Sequence, residues 1–222
     1  MAEHYGEVPP KFTKAWWEYF WMYYKWYVIA GAAVVLGTVF TVAQCTSKVD
    51  YDLTVNYCGS YYYDNEEING WEEALVPYVD DANANGSVDV FVQQINFANN
   101  GTSAEIESAM QVKHDMELSN DGSFIFIYDK AEADLIFNRE STSDVYLELG
   151  EWVDGDISGR ETILSAEGVP CAVSLEGSAM LESLGIDTSD MYISIRKDYS
   201  GEERNTSAQQ SAMKAANAML AQ

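Results

Sequence analysis

The sequence predicts an α/β protein, with an N-terminal transmembrane helix followed by one three-layer α/β domain with a mostly parallel sheet. Three observations lead there. Trp26 to Cys45, WYVIAGAAVVLGTVFTVAQC, holds no charged residue across 20 positions. At ~1.5 Å per residue a helix of that length reaches ~30 Å, the hydrocarbon thickness of a bilayer. Beyond the span, short β-rich runs alternate with amphipathic stretches, the pattern of β-α-β units. The ~175 residues that remain suffice for a single core and would be cramped as two.

Residues 1–25 form a short N-terminal segment in which Pro9 and Pro10 discourage regular structure before an aromatic run, WWEYFWMYYKWY, from Trp16 to Tyr27. Its amphipathic rings suit the headgroup level of a lipid bilayer. Trp17, Trp21, Tyr24 and Val28 recur at helical spacing, so this helix is expected to lie partly along the interface before turning inward at residues 26–45. Docking of a partner helix is the functional alternative for the same rings. Lys11, Lys14 and Lys25 precede the span and Lys48 alone follows it closely. The positive-inside tendency therefore predicts a cytoplasmic N-terminus and an extracellular C-terminal domain. Thr41 and Ala43 offer a small-residue cleavage pattern, but the apolar run is long for a signal peptide, which favours a retained signal anchor. Gln44 before Cys45 argues against a lipobox.

After a stalk at 46–50, the domain at 51–222 opens with a strand, YDLTVNY, from Tyr51 to Tyr57. Asp64 and Glu67 form a capping pair ahead of a helix whose apolar face is Ile68, Trp71, Leu75, Tyr78 and Val79. Val88, Val90 and Val92 begin the second strand. Thr102 and Glu105 predict a second capping box, followed by Ile106, Ala109, Met110, Lys113 and Met116 on one face. FIFIYD, 124–129, reads as a central strand covered on both sides. Ala131 to Phe137 suits a short helix, and the pattern then weakens around Trp152, Gly155 and Gly159. PCAVSL (170–175) and MYISIR (191–196) are strands flanking a short helix at Ser178 to Leu184, and a terminal helix docks through Ala208, Ala212, Ala215, Ala216 and Met219.

The formal net charge of -24 falls almost wholly after the span, since residues 1–25 balance Glu3, Glu7 and Glu18 against their three lysines. Such a surface repels phosphates, which argues against nucleic acid as a partner. It also serves as an ordinary means of staying soluble. Cys45, Cys58 and Cys171 cannot all pair within one chain. A Cys58–Cys171 disulfide and two buried thiols are both open readings.

The sharpest local signal is Asp81-Ala-Asn83-Ala-Asn85-Gly-Ser87-Val-Asp89. Oxygens at alternate positions can converge on Ca²⁺ while Gly86 turns the chain, with a carbonyl from Ser87 and Asp89 direct or through water. This resembles the first nine positions of an EF-hand-type loop, although Val92 stands where that loop needs a bidentate Glu. An Asx-rich turn that caps its own backbone is the competing reading. Tyr61, Tyr62 and Tyr63 cannot all face inward from one regular element, and could line a ligand site or cover a domain edge. His114, beside Asp115, reads as a surface residue of its helix. No HExxH, GxSxG, Walker or dinucleotide-binding motif occurs, and adjacent acids such as Glu66/Glu67 are expected by chance among 36 acidic residues. No catalytic residue is assigned.

The aromatic approach to the span, the Val-rich first strand, the Asp81 to Asp89 loop and VPCAVSLEGSAMLESLGIDTSDMYISIR (169–196) together resemble single-span membrane-anchored proteins of clostridia-like Gram-positive bacteria. The soluble domain is similar to one lobe of a type 2 periplasmic solute-binding protein, a likeness of fold that transfers no ligand by itself. With no catalytic motif and an anchor that holds the domain near membrane partners, the expected role is a non-enzymatic extracytoplasmic accessory or assembly protein, stabilised by calcium if the loop binds it, with an integral-membrane or envelope protein as partner. The alternative is a membrane-tethered solute-binding module using a crevice at strand carboxyl ends near Tyr61 to Tyr63.

Overall fold

A computed structural model describes residues 9–46, 49–97, 104–139 and 141–221. The chain divides into two compact units, residues 1–49 and 50–222.

Among the described residues, the first unit holds one helix, α1 (Lys14–Thr46), of 33 residues. Thr13 starts it: its hydroxyl accepts the Trp16 N–H at 3.2 Å and donates to the Pro10 carbonyl at 2.7 Å. The expected change of direction between the aromatic run and the span is absent. Helical hydrogen bonding continues through both, as no proline or glycine interrupts residues 14–30. Phe12, Trp16, Phe20 and Tyr24 follow at four-residue spacing with successive centroids 5.6, 5.4 and 5.3 Å apart, the first pair tilted and the other two stacked. Lower down, Thr38 and Thr41 donate to the carbonyls of Val34 and Gly37 at 2.9 and 2.8 Å, so neither hydroxyl needs water. The stretch Lys14–Thr41 is long and apolar enough to cross a membrane.

The second unit runs β1 (Leu53–Gly59), α2 (Asn65–Leu75), a 3₁₀ turn (Val76–Tyr78), β2 (Val90–Asn96), α3 (Ala104–Glu117), β3 (Ser123–Asp129), α4 (Lys130–Phe137), α5 (Thr142–Val145), α6 (Leu149–Trp152), β4 (Thr162–Leu164), β5 (Pro170–Ser174), α7 (Ala179–Ser183), β6 (Met191–Ile195) and α8 (Glu203–Leu220). Six strands form one sheet in the order β2-β1-β3-β6-β5-β4. Only β1 pairs in parallel, with β2 and with β3; β6, β5 and β4 join antiparallel. The sheet is therefore mixed, a correction to the mostly parallel arrangement expected from sequence. The first crossovers carry helices of 11 and 14 residues, enough for a parallel return. Between β5 and β6 the only helix has 5 residues. β4, a strand the weak pattern concealed, joins β5 through a tight turn at Gly168, where φ is 81°.

Alternate residues of the central strands enter two cores, one on each face. Val55, Tyr57, Ile125, Ile127 and Ile193 pack with Trp71 and Leu75 of α2 and with Ala212, Ala215, Ala216 and Met219 of α8. Cys58, Phe126, Tyr128 and Tyr192 pack with Ala133, Ile136 and Phe137 of α4. The α2 capping box forms as expected, Asp64 accepting from Glu66 and Glu67 N–H while Glu67 accepts from Asp64 N–H. Thr102, of the second predicted box, lies outside the described residues. Edge strand β2 is guarded by side chains: Glu72 accepts the Val92 N–H at 2.9 Å and Lys113 donates to the Gln94 carbonyl at 3.1 Å.

Helix α3 turns inward a face that matches only in part the one its apolar spacing suggested. Ile106 and Met116 are exposed, whereas Met110 and His114 face the sheet. His114 is thus corrected from surface residue to core residue, 1% exposed. Its Nε2 lies 2.9 Å from the Tyr128 hydroxyl, which in turn lies 2.6 Å from that of Tyr146. This hydrogen-bond chain satisfies three polar groups that would otherwise be costly to bury.

Candidate functional site

The carboxyl ends of β1 and β3 and the start of β6 surround a crevice of 430 Å³ lined by Tyr57, Ser60, Tyr61, Tyr63, Glu67, Asp129 and the Gly185–Met191 turn. Its floor is organised by Asp129, the last residue of β3. One carboxylate oxygen accepts from the Tyr57 hydroxyl at 2.8 Å; the other accepts the Ser60 N–H at 2.7 Å and the Ser60 hydroxyl at 2.8 Å. The chain leaving β1 is thereby tied to the end of β3.

The three consecutive tyrosines separate as their spacing requires. Tyr63 is 4% exposed and Tyr61 is 58% exposed, both lining the crevice, while Tyr62 is 67% exposed and does not line it. Gln94 fixes Tyr63 by its backbone, accepting the N–H and donating to the carbonyl, each at 2.9 Å. The Tyr63 ring stands 5.0 Å from that of Tyr57 and 4.7 Å from that of Tyr61, so a continuous aromatic wall descends from the lip to the core.

Four carboxylates, Glu67, Asp129, Asp187 and Asp190, contribute to the lining. Burial and the nearby Asp129 charge push the Asp190 carboxyl up, and burial with the same Asp129 charge raises the Tyr57 phenol well beyond its ordinary range. Asp187 accepts the Ser189 N–H at 3.0 Å, which helps hold its carboxyl below the usual range. The arrangement offers acceptors and ring faces to an incoming group.

The Asp81–Asp89 loop is a separate feature built around Asp52. That carboxylate is 1% exposed and accepts three backbone N–H groups, from Ala82 (2.9 Å), Asn83 (3.0 Å) and Asp89 (2.9 Å). Within the loop, Asp81 accepts from Asn85 and Gly86 N–H, Asn83 from Asn85 N–H, and Asn85 from the Ser87 N–H and hydroxyl. The Ser87 hydroxyl also lies 2.9 Å from an Asp89 oxygen. Ala84 and Gly86 take positive φ, 55° and 90°. All five predicted ligand residues share this loop, and their side chains engage its own N–H and O–H groups. Among the described residues, no group of three or more His, Cys, Asp or Glu side chains is placed to hold a metal ion.

Comparison with family models, curated proteins and solved structures gives no match.

Sequence reasoning placed Tyr61 and Tyr63 near strand ends and missed Asp129, Asp187, Asp190 and Asp52. Asp129 had a usable signal: an acid directly after a buried strand stands where α/β sheets hold ligands. Asp190 had none, because its strand runs in the opposite direction and reaches the crevice at its beginning.

Proposed function

We propose that this protein is a single-pass membrane-anchored, non-enzymatic module that binds a small solute in the crevice above β1 and β3. In this reading α1 crosses the bilayer with its N-terminus cytoplasmic, and residues 51–222 are extracellular. The observation that supports it best is the 430 Å³ hollow at the ends of neighbouring parallel strands, of ordinary size for a small-molecule site and in the usual position for an α/β sheet. Asp129 accepts three hydrogen bonds from the protein, an arrangement suited to fixing a wall and poorly suited to shuttling protons.

The test is gentle extraction of the intact chain from its native membrane, followed by native mass spectrometry. A small molecule in stoichiometric amount, displaced from an Asp129→Leu variant, is the expected result. Protein that comes out empty and takes up nothing saturably from a cell extract would count against a solute site.

An accessory role beside an integral-membrane or envelope protein is the second reading, favoured by the exposed Ile106, Val112 and Met116 on α3. A membrane protein recovered at fixed stoichiometry in the same extraction would place it first. Calcium binding at Asp81 to Asp89 is a structural addition to either reading, motivated by the alternating oxygens of Asp81, Asn83, Asn85 and Asp89 in the sequence. It requires a Ca²⁺-dependent rise in melting temperature that Asp81→Asn with Asp89→Asn removes.

A further inference from the structure

The chemistry of the crevice narrows the class of solute. Of its lining residues, four are carboxylates and none is Lys, Arg or His. Lys130 follows Asp129 in the chain, but its ammonium is engaged by Glu161 and by the Tyr192 hydroxyl, which is 3.2 Å away. Neither partner lines the crevice. No basic side chain lines the crevice, so its four carboxylates are offset only in part, by Lys130 acting on Asp190, beside two tyrosine rings whose centroids lie 4.7 Å apart.

Resting on the reading of the crevice as a ligand site, we infer that its ligand is a small organic cation bearing a primary ammonium or guanidinium group. The N–H groups of such a ligand reach several carboxylates through charge-assisted hydrogen bonds, and the ring of Tyr61 offers a face to its charge. The net charge of -24 concentrates cations near the domain before they bind. The hydroxyls of a neutral sugar can hydrogen-bond to these acids but leave their charge unneutralised, and an anion would be repelled. A metal ion needs its oxygens within one coordination sphere, whereas these carboxylates are spread around a molecule-sized space and form no such group among the described residues. Burial first and the Asp129 charge second push the Asp190 carboxyl up, with the Lys130 charge a partial offset.

Isothermal titration of the intact chain in mild detergent at low salt tests this, with L-arginine, putrescine, D-glucose, L-glutamate and CaCl₂ as probes. The expected result is saturable binding of L-arginine or putrescine. It should weaken about tenfold or more in Asp187→Asn/Asp190→Asn, weaken in Tyr61→Ala, and stay unchanged in Glu176→Gln, an exposed acid away from the crevice. If the double variant does not fold, as judged by circular dichroism, Asp190→Asn alone and Tyr61→Ala decide. Binding of glucose or glutamate that Tyr61→Ala abolishes, with no response to either cation, would overturn the ligand class and leave the site intact. Heat from CaCl₂ alone, or cation binding indifferent to these variants, would overturn the inference. No saturable heat from any probe, together with no solute in the extracted protein, would remove both the inference and the site.

Discussion

The carboxylate of Asp129 occupies the space that a side chain on Gly59 would need: a β-carbon built there stands 2.5 Å from Oδ1. Gly59 is not among the positive-φ glycines, so the requirement is steric closeness to Asp129 and Tyr57. Gly59→Ala should displace both side chains, cost about 1–3 kcal/mol and spoil the crevice. Gly155→Ala, with nothing within 4 Å of the added carbon, should leave stability nearly unchanged. Urea denaturation of the pair separates overpacking from a general intolerance of alanine.

Asp52 holds the start of β1 against the Asp81–Asp89 loop through three backbone N–H groups. Asp52→Ala strands those donors near a buried site and should destabilise by about 2–4 kcal/mol. Asp81→Ala, on the exposed side of the loop, should cost less. The order of their melting temperatures decides the point, and reversal would mean that Asp81 and not Asp52 organises the loop.

His114 provides a pH signature. Burial lowers its pKa from 6.5, partly offset by the hydrogen bond and charge of Asp115, while Arg139 adds to the lowering. The unfolded chain therefore binds a proton on His114 that the native chain resists. Stability should be level with pH above about 6.5, fall as pH drops through that value, and stop falling on this account below the folded pKa. Melting curves from pH 8 to 5 should show this slope in the wild type and a flatter one in His114→Gln, which keeps a polar partner for Tyr128.

Cys58 and Cys171 are buried free thiols on β1 and β5. With β3 and β6 between those strands, the two are ~14 Å apart at about 4.8 Å per strand, well beyond disulfide reach. Burial pushes both thiols up, Cys171 to about 11, so both should react slowly with iodoacetamide in native protein and rapidly in denaturant. A 58–171 linked peptide in a non-reducing digest would contradict the strand order itself.

Much of the local structure was legible. The uncharged run of Trp26 to Cys45, the capping pair Asp64 and Glu67, and the strands around FIFIYD and MYISIR carry their signals in neighbouring residues. The loop at Asp81 was legible as a turn for the same reason. Its anchor, Asp52, lies 30 residues from Ala82 and announced nothing. The inward face of α3 was legible at Met110 and misjudged at Ile106 and Met116, while the polar His114 was buried once Tyr128 offered it a hydrogen bond.

The sequence by itself determined a membrane-length apolar helix and an acidic α/β domain, because run length, periodicity and capping act over a few residues. Strand direction is a different kind of property, since alternating burial reads the same along a strand in either sense. Only the tertiary structure made the sheet mixed, and so set the Asp190 turn of β6 against the end of β3. The crevice depends on that placement: Tyr57 meets Asp129 across 72 residues of chain, a distance over which only the packed sheet brings groups together.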